Sequence, residues 1–231
     1  MTAPRAALRE QVERNVDSIR ARIRSAGGDR RDVQLVAVTK GFGPDVVEAV
    51  LAAGVKDTAE SYAQELVAKA AVVPDARWHF VGRLQTNKVR QLAPVVHLWQ
   101  SVDRPELAVE LRRRAPGAHA LVQVNVGAER GKGGCDPEEA PGLVDQLHQS
   151  GIHVAGLMAV GVAGSPEAAR PGFRRLAELA DRLKLAERSM GMSDDLEVAV
   201  EEGSTMVRVG RAIFGSRPSS PSGRGPARRW V

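Results

Sequence analysis

A lysine stands at the point where a predicted buried strand ends. Lys40 follows the apolar run VQLVAVT, which predicts a strand over residues 33–39. An amine in apolar surroundings has a lowered pKa, because burial disfavours its charged form, and the neutral amine is a nucleophile towards aldehydes. Lys40 is therefore a candidate for a Schiff base. The alternative is a lysine whose head simply reaches water at a strand end.

The segment EEGSTMVRVGRAIFG has the features of a phosphate site. A strand predicted over residues 205–210 ends at Gly210, and a helix follows at once. The first amides of a helix have no helical partner, and a glycine lets an anion come close. Ser193, at the end of a very short strand predicted over residues 189–193, adds a hydroxyl. The alternative is an ordinary strand–turn–helix junction.

Arg208 lies two residues before Gly210, so both residues face the same side of the predicted strand. That side is the interior of the protein, and a buried guanidinium needs a polar partner. A ring nitrogen or a carboxylate would satisfy it. A structural ion pair with a buried glutamate is the alternative.

Other residues with reactive side chains give weaker patterns. His79 and His97 lie in the middle of predicted strands and are expected to be hydrogen-bonded structural residues. Cys135 is expected to be inert, because the sequence indicates no base beside it. It ends the glycine-rich loop GAERGKGGC, which matches no nucleotide-binding motif and is interpreted as a lid. The motifs HExxH and GxSxG do not occur, so metal and serine hydrolysis have no support.

Eight predicted strands alternate with helices, and most of the strands are continuous apolar runs typical of a parallel sheet covered by helices. Eight such units close into a single (β/α)8 TIM-type barrel, with an open doubly wound sheet as the alternative. In a barrel the active site lies at the carboxyl ends of the strands. An extra amphipathic helix precedes the first unit. Among the helices that alternate with the strands, one is predicted to begin at Asp136 and one to cover residues 166–188. The extra helix covers residues 5–26, and the remaining strands cover 57–61, 77–82, 95–102, 119–126 and 153–160.

Composition indicates one globular domain. Hydrophobic residues make up 43% of the 231 residues and charged residues 26%, which is ordinary for a protein with a sizeable core. We expect the barrel to span residues 1–215 and a disordered basic tail to span residues 216–231. Four arginines of that tail account for most of the net charge of +5, which weakens a nucleic-acid hypothesis.

The compartment expected from the sequence is the cytoplasm. A single cysteine rules out an internal disulfide, and the first residues lack the pattern of a secretory signal. No apolar run approaches the roughly 20 residues that span a bilayer. We therefore expect no membrane partner and no metal site built from cysteines.

Eight segments in collinear order resemble the pyridoxal phosphate homeostasis protein family. They run from about residue 33 to residue 215 and read VAVTKGFGPDVVEAVLAAG, WHFVGRLQTNKVR, QSVD, VQVNV, KGGC, GLMAV, SMGMSDD and EEGSTMVRVGRAIFG. The resemblance implies a barrel like the N-terminal domain of bacterial alanine racemase. It also implies that Lys40 of this chain carries pyridoxal 5'-phosphate as a Schiff base. The chain departs from the family at Ala59, Ser61 and Arg83, positions that concern loop contacts rather than Lys40, and it keeps Glu60 and Tyr62.

The resemblance also implies which residues contact the cofactor. Its phosphate would be bound by Ser193 and by the backbone amides of Gly210 and Arg211, with Ser204 and Thr205 near it.

On the opposite side of the cofactor, the resemblance implies that Arg208 faces the pyridine nitrogen. Asn125 and Met158 fall on strand ends that face the ring.

The function implied is binding of pyridoxal phosphate in vitamin B6 homeostasis, without established turnover. An arginine only donates hydrogen bonds, so it keeps a ring nitrogen unprotonated and weakens the electron sink that catalysis needs. The family's partners would be the small molecule itself and, as recipients, pyridoxal phosphate-dependent apoenzymes; a monomer is expected. Two alternatives stay open, an amino-acid racemase of narrow scope and a lysine Schiff-base aldolase acting on a phosphosugar.

Overall fold

The chain folds into a closed barrel of eight parallel strands, in which each strand pairs with the next and β1 also pairs with β8. The computed structural model describes residues 3–28, 32–129 and 131–216. The barrel prediction is confirmed and the open sheet is wrong. All of the predicted tail except Ser216 lies outside the described residues. The strands are β1 (Gln34–Val38), β2 (Asp57–Glu60), β3 (Arg77–Phe80), β4 (Val96–Val102), β5 (His119–Gln123), β6 (His153–Met158), β7 (Glu187–Ser189) and β8 (Met206–Val209).

Helices surround the barrel, and the predicted extra helix at the amino end is confirmed as α1. A short 3-10 turn at Pro166–Ala169 leads into α7. Among the described residues, no helix combines the length and the apolar character needed to cross a membrane. The helices are α1 (Ala3–Ser25), α2 (Pro44–Ala52), α3 (Ala63–Val72), α4 (Thr86–Leu92), α5 (Pro105–Arg114), α6 (Ala140–Gln149), α7 (Arg170–Arg182), α8 (Leu196–Glu201) and α9 (Arg211–Phe214).

The apolar core has two layers. The larger one lies between the strands and the surrounding helices and includes the fully buried rings of Trp78, Trp99 and Phe173. A small cluster fills part of the barrel interior, as inward side chains do in this fold. Its buried members are Val36, Ala59, Leu98, Leu121, Met158 and Met206.

Helix α1 packs against the elements that close the barrel. Its buried stripe of Val12, Val16, Ile19 and Ile23 recurs at helical spacing and joins a cluster with residues of α2, α8 and α9. The side-chain amide of Asn15 donates a hydrogen bond of 2.7 Å to the carbonyl oxygen of Ile213. The first helix therefore holds the last strand–helix unit in place.

Three predicted element boundaries differ from the structure by four or more residues. Strand β7 ends at Ser189, because Gly191 adopts a positive φ of 94° and turns the chain out of the sheet. Helix α7 ends at Arg182, and Lys184 follows with a φ of 55°. Helix α6 begins four residues after Asp136, because a hydrogen-bonded turn from Asp136 to Glu139 comes first.

Candidate functional site

A cavity of about 300 Å³ opens at the carboxyl ends of β1 and β8. Its volume lies at the lower end of the range for small-molecule sites. Five of the nine residues predicted to bind the cofactor line it, although Lys40 and Arg211 are far apart in the sequence. The lining consists of Val38, Lys40, Phe42, Met192, Ser193, Asp194, Arg208, Gly210, Arg211, Gly215 and Ser216.

Lys40 is half-buried and lies two residues after the end of β1. The backbone on both sides of it is held by side chains of α3. The amine of Lys69 donates to the carbonyl oxygen of Thr39 at 2.8 Å, and the amide of Gly41 donates to Oε2 of Glu65 at 2.8 Å. Helix α3 thus fixes the point from which the Lys40 side chain leaves the strand.

A second lysine lies close to the first but is committed to other contacts. The Nζ atom of Lys69 is 2.5 Å from Oε1 of Glu60 and 3.1 Å from Oε2 of Glu65. Lys69 and Glu60 are both buried, and burial raises the pKa of Glu60 although its bond to Lys69 opposes the rise. The hydroxyl of Thr39 adds a hydrogen bond of 2.7 Å to the same carboxylate. Lys69 therefore has a structural role, and Lys40 is the lysine that faces the cavity.

Arg208 points into the barrel, as predicted, and is only 4% exposed. Its NH1 group donates to Oγ of Ser189 at 2.6 Å, and its NH2 group donates to the carbonyl oxygen of Ala159 at 2.7 Å. Burial lowers the pKa of Arg208 to about 10, so the guanidinium stays charged at neutral pH. Within the described ranges no glutamate bonds to it, and the structural ion pair is wrong.

Behind Arg208, a chain of hydrogen bonds crosses the barrel interior. Ser189 donates to Oε1 of Gln100 at 2.7 Å, and Nε2 of Gln100 lies 2.7 Å from Nδ1 of His79. The other ring nitrogen of His79 lies 3.1 Å from Oδ1 of Asp57. We call these residues with Arg208 the interior polar chain. A hydrogen-bonded structural role for His79 was expected from the sequence, but its partners Gln100 and Asp57 were not.

The side of the cavity opposite β1 is formed by the loop between β7 and α8. The hydroxyl of Ser193 accepts a hydrogen bond of 3.2 Å from the amide of Ala212, which ties this loop to the start of α9. Arg211 pairs with Asp194 across the same junction. A Cβ atom on Gly210 would lie 2.9 Å from the carbonyl oxygen of Val38, so a side chain there would crowd β1. Glycine is the residue that this approach allows.

Ser204 and Thr205 do not line the cavity. They precede β8, and at about 3.3 Å per residue the four-residue strand places them roughly 13 Å from its carboxyl end. Ser204 donates to the carbonyl oxygen of Met190 at 2.8 Å, and Thr205 donates to Glu187 at 2.6 Å. The structure thus separates Ser204 and Thr205 from the other predicted phosphate contacts, because they precede β8 whereas Gly210 and Arg211 follow it.

Asn125 and Met158 also lie away from the cavity lining. Met158 ends β6, is 1% exposed and packs in the cluster inside the barrel. The side-chain amide of Asn125 bonds both to the carbonyl oxygen of Glu129 at 3.1 Å and to its backbone amide at 3.3 Å. In this structure Asn125 stabilises the start of the glycine-rich loop.

The end of the glycine-rich loop pairs with the chain that follows β5. Cys135 donates its amide to Gln123 at 3.0 Å and accepts one from Asn125 at 2.9 Å. Burial raises the pKa of the Cys135 thiol to about 12, so little thiolate forms at neutral pH. No group of three or more potential metal ligands is arranged around a common point in the described part of the chain.

Comparison with known proteins first defines the class. The family model described as "Alanine racemase, N-terminal domain" matches residues 9–218. The alanine racemase of Clostridium difficile 630 superposes with a TM-score of 0.72, covering 91% of this chain and 58% of that enzyme at 15% identity. The barrel is thus that of the alanine racemase N-terminal domain.

Two further relatives define the family within this class. The pyridoxal phosphate homeostasis protein of Aquifex aeolicus is 39% identical over 90% of this chain and 97% of its own length. PipY of Synechococcus elongatus PCC7942, solved with PLP bound, has a TM-score of 0.78 at 30% identity, covering 88% of this chain and 100% of that one. The chain belongs to the pyridoxal phosphate homeostasis protein family.

Proposed function

We propose that this chain binds pyridoxal 5'-phosphate in the cavity at the ends of β1 and β8 and acts in vitamin B6 homeostasis. The names of its relatives and the bound PLP of PipY support the ligand. The observation that carries the proposal is that Lys40, Ser193 and Arg208 meet at one cavity although they lie on three separate parts of the chain. The three side chains supply an amine, a hydroxyl and a guanidinium.

The residues present fit the three polar parts of the ligand. Lys40 would supply the amine that holds the ligand through its aldehyde group. The hydroxyl of Ser193 and the backbone amides of Gly210 and Arg211 would hold the phosphate, where Gly210 leaves room beside β1. Arg208 would donate to the ring nitrogen.

Arg208 favours carriage of the cofactor over catalysis. When bound, pyridoxal phosphate supplies an electron sink that is strong only if its ring nitrogen is protonated. A charged arginine only donates hydrogen bonds, so it holds that nitrogen in the unprotonated form. A weak sink disfavours transamination and decarboxylation. Racemisation can proceed with a weak sink but needs an acid–base group on each face of the substrate carbon, of which Lys40 would supply one, so we expect no racemisation at enzyme-like rates. Incubation of the loaded protein with single L-amino acids, followed by chiral chromatography, checks this, and multiple turnovers to a D-amino acid would contradict it.

The ligand and its attachment point are tested with two lysine variants. Wild-type protein incubated with pyridoxal phosphate should turn yellow, and Lys40→Ala should stay colourless. Lys56→Ala removes an exposed lysine that does not line the cavity and should behave as wild type. Borohydride reduction followed by peptide mass mapping should place the adduct on Lys40. An equally yellow Lys40→Ala variant with its adduct on another lysine would overturn the proposal.

The same colour measurement separates the aldolase alternative. A lysine aldolase acting on a phosphosugar would bind its substrate without visible absorbance. The remaining parts of the proposal are a monomeric state, a cytoplasmic location and transfer of the ligand to apoenzymes. A free, buried Cys135 suits a reducing compartment. Light scattering of the purified protein tests the oligomeric state, and reactivation of an apoenzyme by the loaded protein tests transfer.

A further inference from the structure

We propose that Gln100 and His79 are positioning residues, which hold the guanidinium of Arg208 at the cavity through Ser189. The inference rests on the proposed function, because it concerns how this chain presents Arg208 to the ligand's ring nitrogen. Neither residue lines the cavity. Both act from inside the barrel. Gln100 bonds Ser189, which Arg208 contacts, and His79 bonds Gln100.

The interior polar chain has a single consistent order of donors. The hydroxyl of Ser189 donates its one hydrogen to Gln100, so its oxygen is free to accept from Arg208. With its oxygen facing Ser189, the amide of Gln100 turns its NH₂ group towards Nδ1 of His79. That nitrogen must then accept, which leaves the proton of His79 on Nε2, where it donates to Asp57.

For a neutral His79, Asp57 excludes the reverse order. If the Gln100 amide were flipped, its oxygen would face His79 and Nδ1 would have to carry the proton. An unprotonated Nε2 would then lie against the Asp57 carboxylate, and two acceptors would face each other. The second NH of Gln100 is also satisfied in the observed order, by the sulfur of Met206 at 3.1 Å. The carboxylate thus selects the orientation that leaves Ser189 able to accept from Arg208.

Burial makes this order stringent. Ser189 and Gln100 are 0% exposed, His79 is 1% exposed and Asp57 is 4% exposed. Water cannot replace a missing partner at such positions, so each donor must meet its acceptor. Burial would raise the pKa of Asp57, but hydrogen bonds from His79 and Gln34 and the charge of Arg77 lower it, which keeps the carboxylate charged. The chain therefore runs from a fixed cation at the cavity to a fixed anion at the other end of the barrel.

The decisive variant is Gln100→Leu, which removes both links of the chain while keeping the side-chain size. We expect the bound ligand to show a shifted absorption maximum, since the donor to its ring nitrogen is no longer held in one direction. We also expect the Kd for pyridoxal phosphate to rise about tenfold, as for the loss of one charge-assisted hydrogen bond. Gln123→Leu makes the same change on β5, away from the chain, and should leave both quantities as in wild type.

A conservative variant separates positioning from simple packing. In His79→Gln an amide can accept from Gln100 and donate to Asp57, so the wild-type spectrum should largely return. His79→Leu cannot do either and should resemble Gln100→Leu. If Gln100→Leu does not fold, Ser189→Ala breaks the link to Arg208 directly and carries the same expectations.

The outcomes distinguish the two proposals. Failure of the wild-type protein to bind pyridoxal phosphate on Lys40 would overturn the proposed function. Normal binding by wild type, together with an unchanged spectrum and Kd in Gln100→Leu or Ser189→Ala, would overturn the positioning role alone. A loss of thermal stability in the ligand-free variants with no spectral change would show that the chain is structural only.

Discussion

Lys40 and Lys69 show how two lysines in one part of a barrel acquire different roles. The amine of Lys69 contacts Glu60, Glu65 and a backbone carbonyl, whereas Lys40 faces the cavity. From the sequence, Lys40 could be singled out because it directly ends an apolar strand. The structural role of Lys69 could not be predicted, because its buried carboxylate partner belongs to β2 and helical periodicity does not reveal contacts between elements.

Removal of one member of the buried Lys69–Glu60 pair should lower the free energy of unfolding. Lys69→Met leaves the carboxylate of Glu60 buried without its cation, and breaking a buried pair in this way typically destabilises a protein by about 3–5 kcal/mol. Urea unfolding of the ligand-free protein measures the change. Glu65→Gln, which affects a half-exposed partner, should cost much less. Equal losses in the two variants would contradict the structural role of the Lys69–Glu60 pair.

Cys135 should be unreactive in the native protein. A thiol with a pKa of about 12 is about one ten-thousandth thiolate at pH 8, and the thiolate is the nucleophile. Iodoacetamide at pH 8 should therefore label the folded protein very slowly and the urea-unfolded protein at the normal rate. Mass spectrometry measures the labelling. Rapid labelling without urea would contradict the prediction, because it would show that the thiol is accessible and ionised.

At the scale of elements, strand boundaries depend on backbone contacts that residue types do not report. The apolar residues of SMGMS led the prediction for β7 towards residue 193, but the strand begins at the polar Glu187 and ends at Ser189. Ser193 nevertheless reaches the cavity, because the loop after β7 bends back to the start of α9. Ser193 was singled out from the sequence as a strand end, and the structure places it in a loop that lines the cavity.

Two glycines provide a matched test of strand packing. A Cβ atom on Gly156 in β6 would lie 2.0 Å from the carbonyl oxygen of Glu187 in β7, so Gly156→Ala must push these strands apart. We expect a loss of about 1–3 kcal/mol or more. Gly142→Ala in α6 meets no atom within 4 Å and should stabilise the protein by about 0.5–1 kcal/mol. Thermal unfolding measures both changes, and a neutral Gly156→Ala would contradict the close β6–β7 contact.

At the scale of the whole molecule, histidines gather at the amino end of the barrel. His119 and His153 begin β5 and β6, and His97 is the second residue of β4; the ring centroids of His97 and His119 are 6.4 Å apart and those of His119 and His153 are 4.6 Å apart. Burial and neighbouring positive charge lower the pKa of His97 and of His119. The folded state therefore binds protons less readily than the unfolded chain.

This difference gives stability a pH dependence of defined sign. Below the unfolded pKa of about 6.5 the unfolded chain takes up protons that the native protein does not, so stability falls as pH falls. The free energy of unfolding should be smaller at pH 5.5 than at pH 7.5, and His119→Asn should reduce this difference. Urea titrations at the two pH values check it. A protein that is more stable at pH 5.5, or a His119→Asn variant with an unchanged difference, would contradict the assignment.

The global architecture was more predictable than the interior of the site. Alternating apolar runs and helices indicate eight units, and eight parallel units close into a barrel. Gln100 was not predicted as part of the site, because its role depends on Ser189 and His79 from two other strands. Ser204 and Thr205 do not line the cavity for a related reason, since proximity to Gly210 in sequence does not bring them near it along an extended strand.

The contacts of α1 have a consequence for when the ligand can first be captured. Asn15 bonds Ile213 across 198 positions, and Arg22 bonds both Glu197 and the carbonyl oxygen of Ser193. The first helix and the last strand–helix unit therefore meet beside the cavity proposed to bind the ligand. A nascent chain that still lacks β8 has Lys40 but neither Arg208 nor Gly210, so we expect the proposed site to retain its ligand only after synthesis has passed that strand.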